Sequence, residues 1–221
     1  MRDGGGGFVD EPFAGDRIEE ILRRGNRRLT ADDCALLASV AMREPPARMR
    51  RIVEIGAMDG CSTLVLGTVA RGVPGAHVWS VEPNPKGRWE RNVREFGLEG
   101  TVTLVRAWSP FLSESDFEAI GEPIDFLFID GDHRTRWVLA DYHVWSPRVR
   151  QGGLVAFHDW TGAGATGRAV RRAVEIILED DPLREVGRVE GRDRGTIVFR
   201  KAGEPERWPA EPKTPAKAGA A

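Results

Sequence analysis

Hydrophobic and polar positions between residues 51 and 178 follow two alternating patterns. Short apolar runs, typical of strands buried in a parallel sheet, are each followed by a longer segment with apolar residues at helical spacing. The predicted strands are 52–55, 77–81, 101–105, 124–129 and 153–157. The predicted helices are 61–70, 85–96, 110–120, 134–149 and 169–178. This alternation predicts an α/β fold, in which helices cover both faces of a parallel sheet.

The end of the chain departs from this alternation. Two more strands are predicted around 184–189 and 196–200, and the connection 191–195 is short enough for an antiparallel hairpin. We therefore expect a mostly parallel, seven-stranded sheet with a C-terminal antiparallel hairpin. A dinucleotide-binding Rossmann domain would continue with a further strand and helix instead.

The flanking segments differ in composition from the core of the chain. Residues 16–46 have a helical pattern, and Thr30 with Asp33 resembles a capping box, so a second helix is expected to begin at Ala31. These N-terminal helices form either a packing pair or a lid over the substrate. Residues 1–15 are rich in glycine and residues 202–221 in proline and alanine, and we predict both to be disordered. The main domain is then 47–201.

Composition and charge narrow the function classes. The net charge of −2 gives no basic field, which disfavours nucleic acid as a partner. The beginning of the sequence has no signal-peptide pattern, and no apolar run approaches the roughly 18 residues of a membrane span. Two cysteines do not make a disulfide scaffold. We expect a soluble cytoplasmic protein without a membrane partner, either a monomer or a homo-oligomer.

A glycine turn after the first strand predicts a ligand site. Strand 52–55 runs into Gly56-Ala-Met-Asp-Gly60, and a helix begins at Cys61. Glycine lets the backbone approach a ligand closely, and the free N–H groups of a first helical turn point at it. A strand, a glycine turn and a helix in this order are typical of a nucleotide-binding element. The spacing Gly56-x-x-x-Gly60 is not the Gly-x-Gly-x-x-Gly of a dinucleotide-dependent oxidoreductase.

Four segments at strand ends carry a family resemblance. They are 53–63, Glu82, 107–109 and 129–133. In this order they resemble a class I methyltransferase dependent on S-adenosylmethionine (SAM), over about residues 35–200. The runs 124–133 and 152–159 are similar to small-molecule O-methyltransferases of the catechol and macrocin type. Base methyltransferases that act on amino groups usually carry an Asn/Asp-Pro-Pro-aromatic run after the fourth strand, and this chain has Asp130-Gly-Asp-His133 there.

The resemblance assigns a cofactor-binding set. A carboxylate just beyond a strand end can accept hydrogen bonds from both ribose hydroxyls of SAM, and Glu82 has that position. The resemblance implies that Gly56, Met58 and Ser62 border the amino-acid end and that Trp108 and Ser109 flank the adenine. The complete predicted set is Glu54, Gly56, Ala57, Met58, Gly60, Ser62, Glu82, Trp108, Ser109 and Asp130.

The reacting centre is expected at the ends of the fourth and fifth strands. Five ionisable residues converge there: Asp130, Asp132, His133, His158 and Asp159. His133 lies where the catechol enzymes place a lysine base, so His133 with Asp130 and Asp132 forms the predicted catalytic set. The resemblance also implies a site for Mg²⁺ or another divalent cation formed by Asp130, His158 and Asp159. His158 stands where the family usually has an acid, and magnesium prefers oxygen ligands. Alternatively, both histidines cap strand ends through hydrogen bonds.

These features favour methyl transfer from SAM to a hydroxyl of a small molecule such as a sugar, polyketide or phenol. Two alternatives stay open: a non-catalytic SAM-binding protein, and a methyltransferase acting on nitrogen or on a macromolecule. The glycine-rich segment 160–167 is either a loop that contacts the methyl acceptor or a plain linker.

Overall fold

A computed structural model describes residues 15–191 and 194–202. The strands are β1 (Arg51–Ile55), β2 (His77–Val81), β3 (Val102–Val105), β4 (Ile124–Ile129), β5 (Val149–Phe157), β6 (Leu183–Arg188) and β7 (Ile197–Lys201). The α-helices are α1 (Gly15–Arg24), α2 (Ala31–Met42), α3 (Cys61–Arg71), α4 (Arg88–Glu95), α5 (Glu114–Ile120), α6 (Thr135–Trp145) and α7 (Ala165–Asp180). Both predicted disordered ends lie almost entirely outside the described residues.

The seven strands form one sheet in the order β3-β2-β1-β4-β5-β7-β6. Neighbours among β1 to β5 are parallel, whereas β7 is antiparallel to both β5 and β6. The predicted mostly parallel sheet with a C-terminal hairpin is confirmed. The connections run outward in both directions from β1 and β4, so the ends of these two central strands mark the switch point where such sheets bind ligands.

Alternate side chains of β4 enter two hydrophobic clusters, one on each face of the sheet. Phe126 and Phe128 belong to the cluster that holds buried residues of α2, α3 and α4. Leu127 and Ile129 belong to the cluster that holds buried residues of α6 and α7. Because both faces of β4 are covered, the register of this strand is strongly specified and its carboxyl end is fixed in place.

Several helix boundaries differ from the prediction. The helix after β2 begins at Arg88 and not at Pro85, because residues 82–87 form a turn in which the Lys86 N–H donates to the Met58 carbonyl. α5 begins at Glu114 and not at residue 110, since Ser113 forms a capping box with Asp116. α7 begins at Ala165, four residues early, so the predicted loop 160–167 is partly helix.

The two N-terminal helices are part of the packed structure. Thr30 and Asp33 form the expected capping box at the start of α2. Cys34 and Leu37 on the same helix are fully buried in the core cluster shared with α3. Burial of this face supports the packing alternative for α2. Among the described residues, no helix is long and apolar enough to cross a membrane.

Candidate active site

A cavity of about 480 Å³ opens at the carboxyl edge of the sheet, beside the ends of β1 and β4. It brings together most of the residues predicted from the sequence. Those that line it are Gly56, Ala57, Met58, Ser62, Glu82, Trp108, Ser109, Asp130, Asp132, His133, His158 and Asp159. Glu54 and Gly60, which were also predicted, do not line it.

The glycine turn holds the ends of β1 and β4 unusually close. Gly56 has φ +88°, and a Cβ at this position would lie 2.2 Å from the Asp130 carbonyl oxygen. The Gly56 N–H donates to the Val81 carbonyl at 3.0 Å, and the Asp130 N–H donates to the Ile55 carbonyl at 2.8 Å. Only glycine satisfies both the left-handed backbone and the close approach, so this residue fixes the cavity floor.

Glu82 is held between the loops that follow β1 and β2. Its Oε2 accepts a hydrogen bond from the Met58 N–H at 3.2 Å, and its Oε1 accepts one from the Asn84 N–H at 2.8 Å. Each carboxylate oxygen has a further lone pair. A buried, oriented carboxylate at the cavity wall fits a vicinal diol such as the ribose of SAM, and the predicted cofactor therefore fits this end of the site.

Glu54 and Gly60 lie behind the turn. Glu54 is fully buried, and its Oε2 accepts hydrogen bonds from Thr63 at 2.6 Å and Ser80 at 2.5 Å. Burial raises the pKa of Glu54 to about 7, although hydroxyl groups around it favour the charged form. A Cβ at Gly60 would lie 3.2 Å from the Trp89 ring. Both residues therefore support the turn from the side away from the cavity.

Aromatic side chains form the wall opposite Glu82. Trp108 is 59% exposed, whereas Ser109 is buried and accepts a hydrogen bond from Trp145 Nε1 at 2.8 Å. The anchored Ser109 leaves the Trp108 ring free to offer a flat face, which suits an adenine ring. Trp137 and the buried Asp141 also line this cavity and were not predicted. Burial raises the pKa of Asp141 to about 6.

His133 pairs with two carboxylates at the other end of the cavity. Its Nε2 lies 3.0 Å from Asp159 Oδ2 and 3.3 Å from Asp130 Oδ1. Burial disfavours the charged imidazole, but these two carboxylates outweigh burial and raise the pKa of His133 to about 9. At neutral pH His133 is therefore protonated when the cavity holds no ligand.

Asp132 lies on the rim and pairs with Arg134. Its Oδ1 accepts hydrogen bonds from the Arg134 backbone N–H at 3.0 Å and from Nε at 2.9 Å. Arg134 is the main reason that the pKa of Asp132 is lowered. This pairing with Arg134 makes Asp132 less available for proton transfer.

His158 lies deepest in the site and connects it to α2. The side chain is buried, with Nδ1 3.0 Å from Asp130 Oδ1 and Nε2 3.7 Å from Asp33 Oδ2. The second distance is that of an ion pair and exceeds a hydrogen bond, so Nε2 has no hydrogen-bonding partner. Burial opposes protonation, yet the flanking carboxylates raise the pKa of His158 well above its usual value.

Asp33 was predicted only as a helix cap. The capping box gives no sign that its carboxylate also faces a strand end 125 residues later in the chain.

The surroundings of His158 do not favour the predicted metal set of Asp130, His158 and Asp159. Both ring nitrogens of His158 face carboxylates, and an imidazole protonated on both nitrogens has no lone pair for a cation. Within the described part of the chain, the group with suitable donor spacing is Asp130, His133 and Asp159, whose ligand atoms lie within 4.8 Å of one another. His133 Nε2 lies close to both of these carboxylates, and magnesium prefers an all-oxygen set. Magnesium therefore does not fit this arrangement.

The strand order and the cavity at the β1/β4 switch point are those of the Rossmann-like fold of class I methyltransferases. Residues 53–160 match a family described as "Methyltransferase domain". This match contains the glycine turn, Glu82 and the strand-end cluster, in agreement with the suspected family.

Three known proteins illustrate the likeness. The cofactor-bound Rv0187 from MTB is 21% identical, with 88% of this chain and 92% of that chain covered and a TM-score of 0.64. An O-methyltransferase from Bacillus cereus, solved with S-adenosylhomocysteine (SAH), is 20% identical, with 83% and 90% covered and a TM-score of 0.62. An uncharacterized protein, R132, from Acanthamoeba polyphaga mimivirus is 28% identical over 117 residues. That match covers 49% of this chain and only 50% of the relative. The two structures bear on the fold, and activity does not follow from them.

Proposed function

We propose that this protein transfers the methyl group of SAM to a hydroxyl of a small molecule. One observation supports this proposal above the others: a single cavity is lined by Glu82, an oriented carboxylate suited to a vicinal diol, and by His133 paired with Asp130 and Asp159. The O-methyltransferase from Bacillus cereus has the same fold, which favours oxygen as the acceptor atom.

The chain's own residues have three tasks in this reaction. Bound SAM supplies a methyl group on a sulfonium, which is a good leaving group. Glu82 and the turn around Met58 hold the cofactor, while the walls of the cavity exclude water. His133 removes the hydroxyl proton from the acceptor, and Asp130 and Asp159 orient the imidazole.

The protonation of His133 sets a condition on this role. A general base must be neutral before it accepts a proton, and the two carboxylates hold the pKa of His133 at about 9. The neutral fraction therefore increases about tenfold per pH unit up to that value. We expect methyl transfer to become faster as the pH rises from 7 to 9.

The alternatives keep specific support. A non-catalytic SAM-binding protein would use the same turn and Glu82 without needing His133. A macromolecular acceptor would require a wide approach to the cavity. The exposed ring of Trp108 lines the cavity, and the exposed ring of Phe111 lies 6.1 Å from that of Trp137, which also lines it.

The test begins with binding. Calorimetry should detect SAM and SAH binding to the wild type, weakened by Glu82→Ala but unaffected by Glu90→Ala, an exposed glutamate on α4. Incubation with methyl-labelled SAM and a panel of hydroxylated and amino acceptors then separates the alternatives. Binding without transfer to any acceptor would favour the non-catalytic protein, and transfer only to amines or to RNA would contradict the hydroxyl assignment.

A further inference from the structure

Three carboxylates and two imidazoles form a continuous line of contacts, and all of these residues except Asp33 line the cavity. In spatial order the residues are Asp33, His158, Asp130, His133 and Asp159. Asp33 comes from α2, Asp130 follows β4, and His158 and Asp159 follow β5. Carboxylates and imidazoles alternate along this line, so every imidazole lies between two carboxylates.

Asp33 is built to remain an ionised acceptor. Its Oδ2 accepts hydrogen bonds from the Thr30 backbone N–H at 2.9 Å and from the Thr30 hydroxyl at 2.6 Å. Its Oδ1 accepts a hydrogen bond from the Thr196 hydroxyl at 2.8 Å. These donors occupy lone pairs of the ionised carboxylate. Hydrogen bonds to the charged form favour it over the protonated form. A fully buried anion also requires a nearby cation, and the nearest one is His158.

His158 faces carboxylates from every side that carries charge. Asp130 Oδ1 lies 3.0 Å and Asp159 Oδ1 3.8 Å from its Nδ1, and Asp33 Oδ2 lies 3.7 Å from its Nε2. The aromatic ring of Phe128 is an uncharged neighbour of the imidazole, with centroids 6.4 Å apart. A neutral imidazole has only one N–H and would turn a lone pair toward one of these anions. The doubly protonated form has a donor for each side.

We propose that the His158 imidazolium, fixed between Asp33 and Asp130, is the built-in cation of this site and replaces the divalent metal that the strand-end carboxylates would otherwise hold. His158 acts through Asp130, so it is a positioning residue: it neutralises that carboxylate and fixes its direction toward His133. Asp33 is the partner, supplied by α2, that holds the cation in place. The positioning role of His158 in catalysis rests on the proposed function. The expectation that the site binds no divalent metal does not depend on it.

The main test is a gain of metal binding. The double variant Asp33→Asn/His158→Asp removes the imidazolium and its partner charge and adds a third acid beside Asp130 and Asp159. We expect saturable binding of one Mn²⁺ by this variant, at least tenfold tighter than by the wild type, measured from the electron paramagnetic resonance signal of free Mn²⁺. The control Asp33→Asn/His158→Asn opens the same space without the third acid and should not gain binding.

Two measurements on the wild type keep the inference falsifiable if the double variant does not fold. Nitrogen-15 NMR of the imidazoles at pH 7 should show both ring nitrogens of His158 protonated. Calorimetry with Mg²⁺ and Mn²⁺ should show no saturable binding. A neutral His158 tautomer, or one Mn²⁺ bound at micromolar concentration and lost in Asp159→Asn, would overturn the proposal.

The metal-binding and NMR experiments use neither SAM nor a methyl acceptor. Absence of methyl transfer would therefore refute the proposed function without affecting the test of metal binding. Once an acceptor is found, turnover should be unchanged in EDTA, and dependence on added metal would contradict the inference directly.

Discussion

The pairing of His133 with Asp159 makes a prediction that can be worked out from two distances. Asp159→Asn keeps the shape of the side chain but removes the charge 3.0 Å from His133 Nε2, while Asp130 remains at 3.3 Å. An opposite charge at this range moves a pKa by about 1–3 units. The side chain of His133 is 36% exposed, so solvent screening favours the lower end of that range. The pKa of His133 should therefore fall from about 9 by about one unit.

The assay is a proton NMR titration of the histidine Cε1–H signals between pH 5 and 10, with the His133 signal assigned from His133→Gln. The matched control is Asp132→Asn, since Asp132 pairs with Arg134 and contributes less to His133. In the variant Asp159→Asn, the midpoint for His133 should move toward acid, and the control should move it less. An unchanged or higher midpoint in Asp159→Asn would refute the pairing and, with it, the base assignment.

The same shift should be visible in turnover. If neutral His133 is the base, kcat/KM for the wild type rises with pH and levels near pH 9. In Asp159→Asn the rising limb should lie about one pH unit lower, even though the plateau falls because the imidazole is less well oriented. A pH-independent rate between 7 and 9 would move the proton-accepting role away from His133.

Three further predictions concern the turn and its support. Glu82→Ala should lose about 1.5–3 kcal/mol of SAM affinity, a factor of about 10–150 by calorimetry, and unchanged binding would contradict the ribose contact. Gly56→Ala should destabilise by about 1–3 kcal/mol more than Gly75→Ala in urea unfolding, because both have positive φ but only Gly56 lacks space for a Cβ. Glu54 holds its proton up to about pH 7 when folded, against 4.5 when unfolded, so stability should fall as pH rises between these values. Glu54→Gln should remove that part of the pH dependence of stability. If stability still falls with pH in the variant, a group other than Glu54 is responsible.

The fold was predictable because its signals are local and repeated. β2 and β4 begin and end where they were predicted to. The signal is strongest in β4, whose six residues are all buried and include one polar residue, Asp125. Helix starts were less predictable, as the turn before α4 shows. Pro85 suits a first helical position, but the N–H of the next residue, Lys86, donates to the Met58 carbonyl of another loop. Such tertiary contacts have no signature in the local sequence.

The cofactor end of the site was also largely predictable. Gly56 and Glu82 follow strand ends directly, and parallel strands bring their carboxyl ends to one edge of the sheet. Glu54 illustrates the limit of that argument. It precedes Gly56 by two residues in β1, yet it points into the layer that packs against α3, where Thr63 and Ser80 donate to it. Strand alternation predicts which face of the sheet the Glu54 side chain lies on, but it does not predict which buried groups donate hydrogen bonds to it.

The cluster of acids and histidines after β4 and β5 was predictable only as a set of residue types. His158 was recognisable as a departure from an acidic position, and a single departure suggests a weakened metal site. Its physical consequence depends on a second residue, because an imidazolium paired with one buried carboxylate is easily neutralised, whereas one between two carboxylates is not. The second carboxylate belongs to Asp33, whose role as the cap of α2 fully accounts for its presence in the sequence. The neighbours of such a residue along the chain reveal only its local role. The pairing of Asp33 with His158, on which the replacement of a metal by a buried ion pair depends, therefore becomes visible only once α2 is packed onto the sheet.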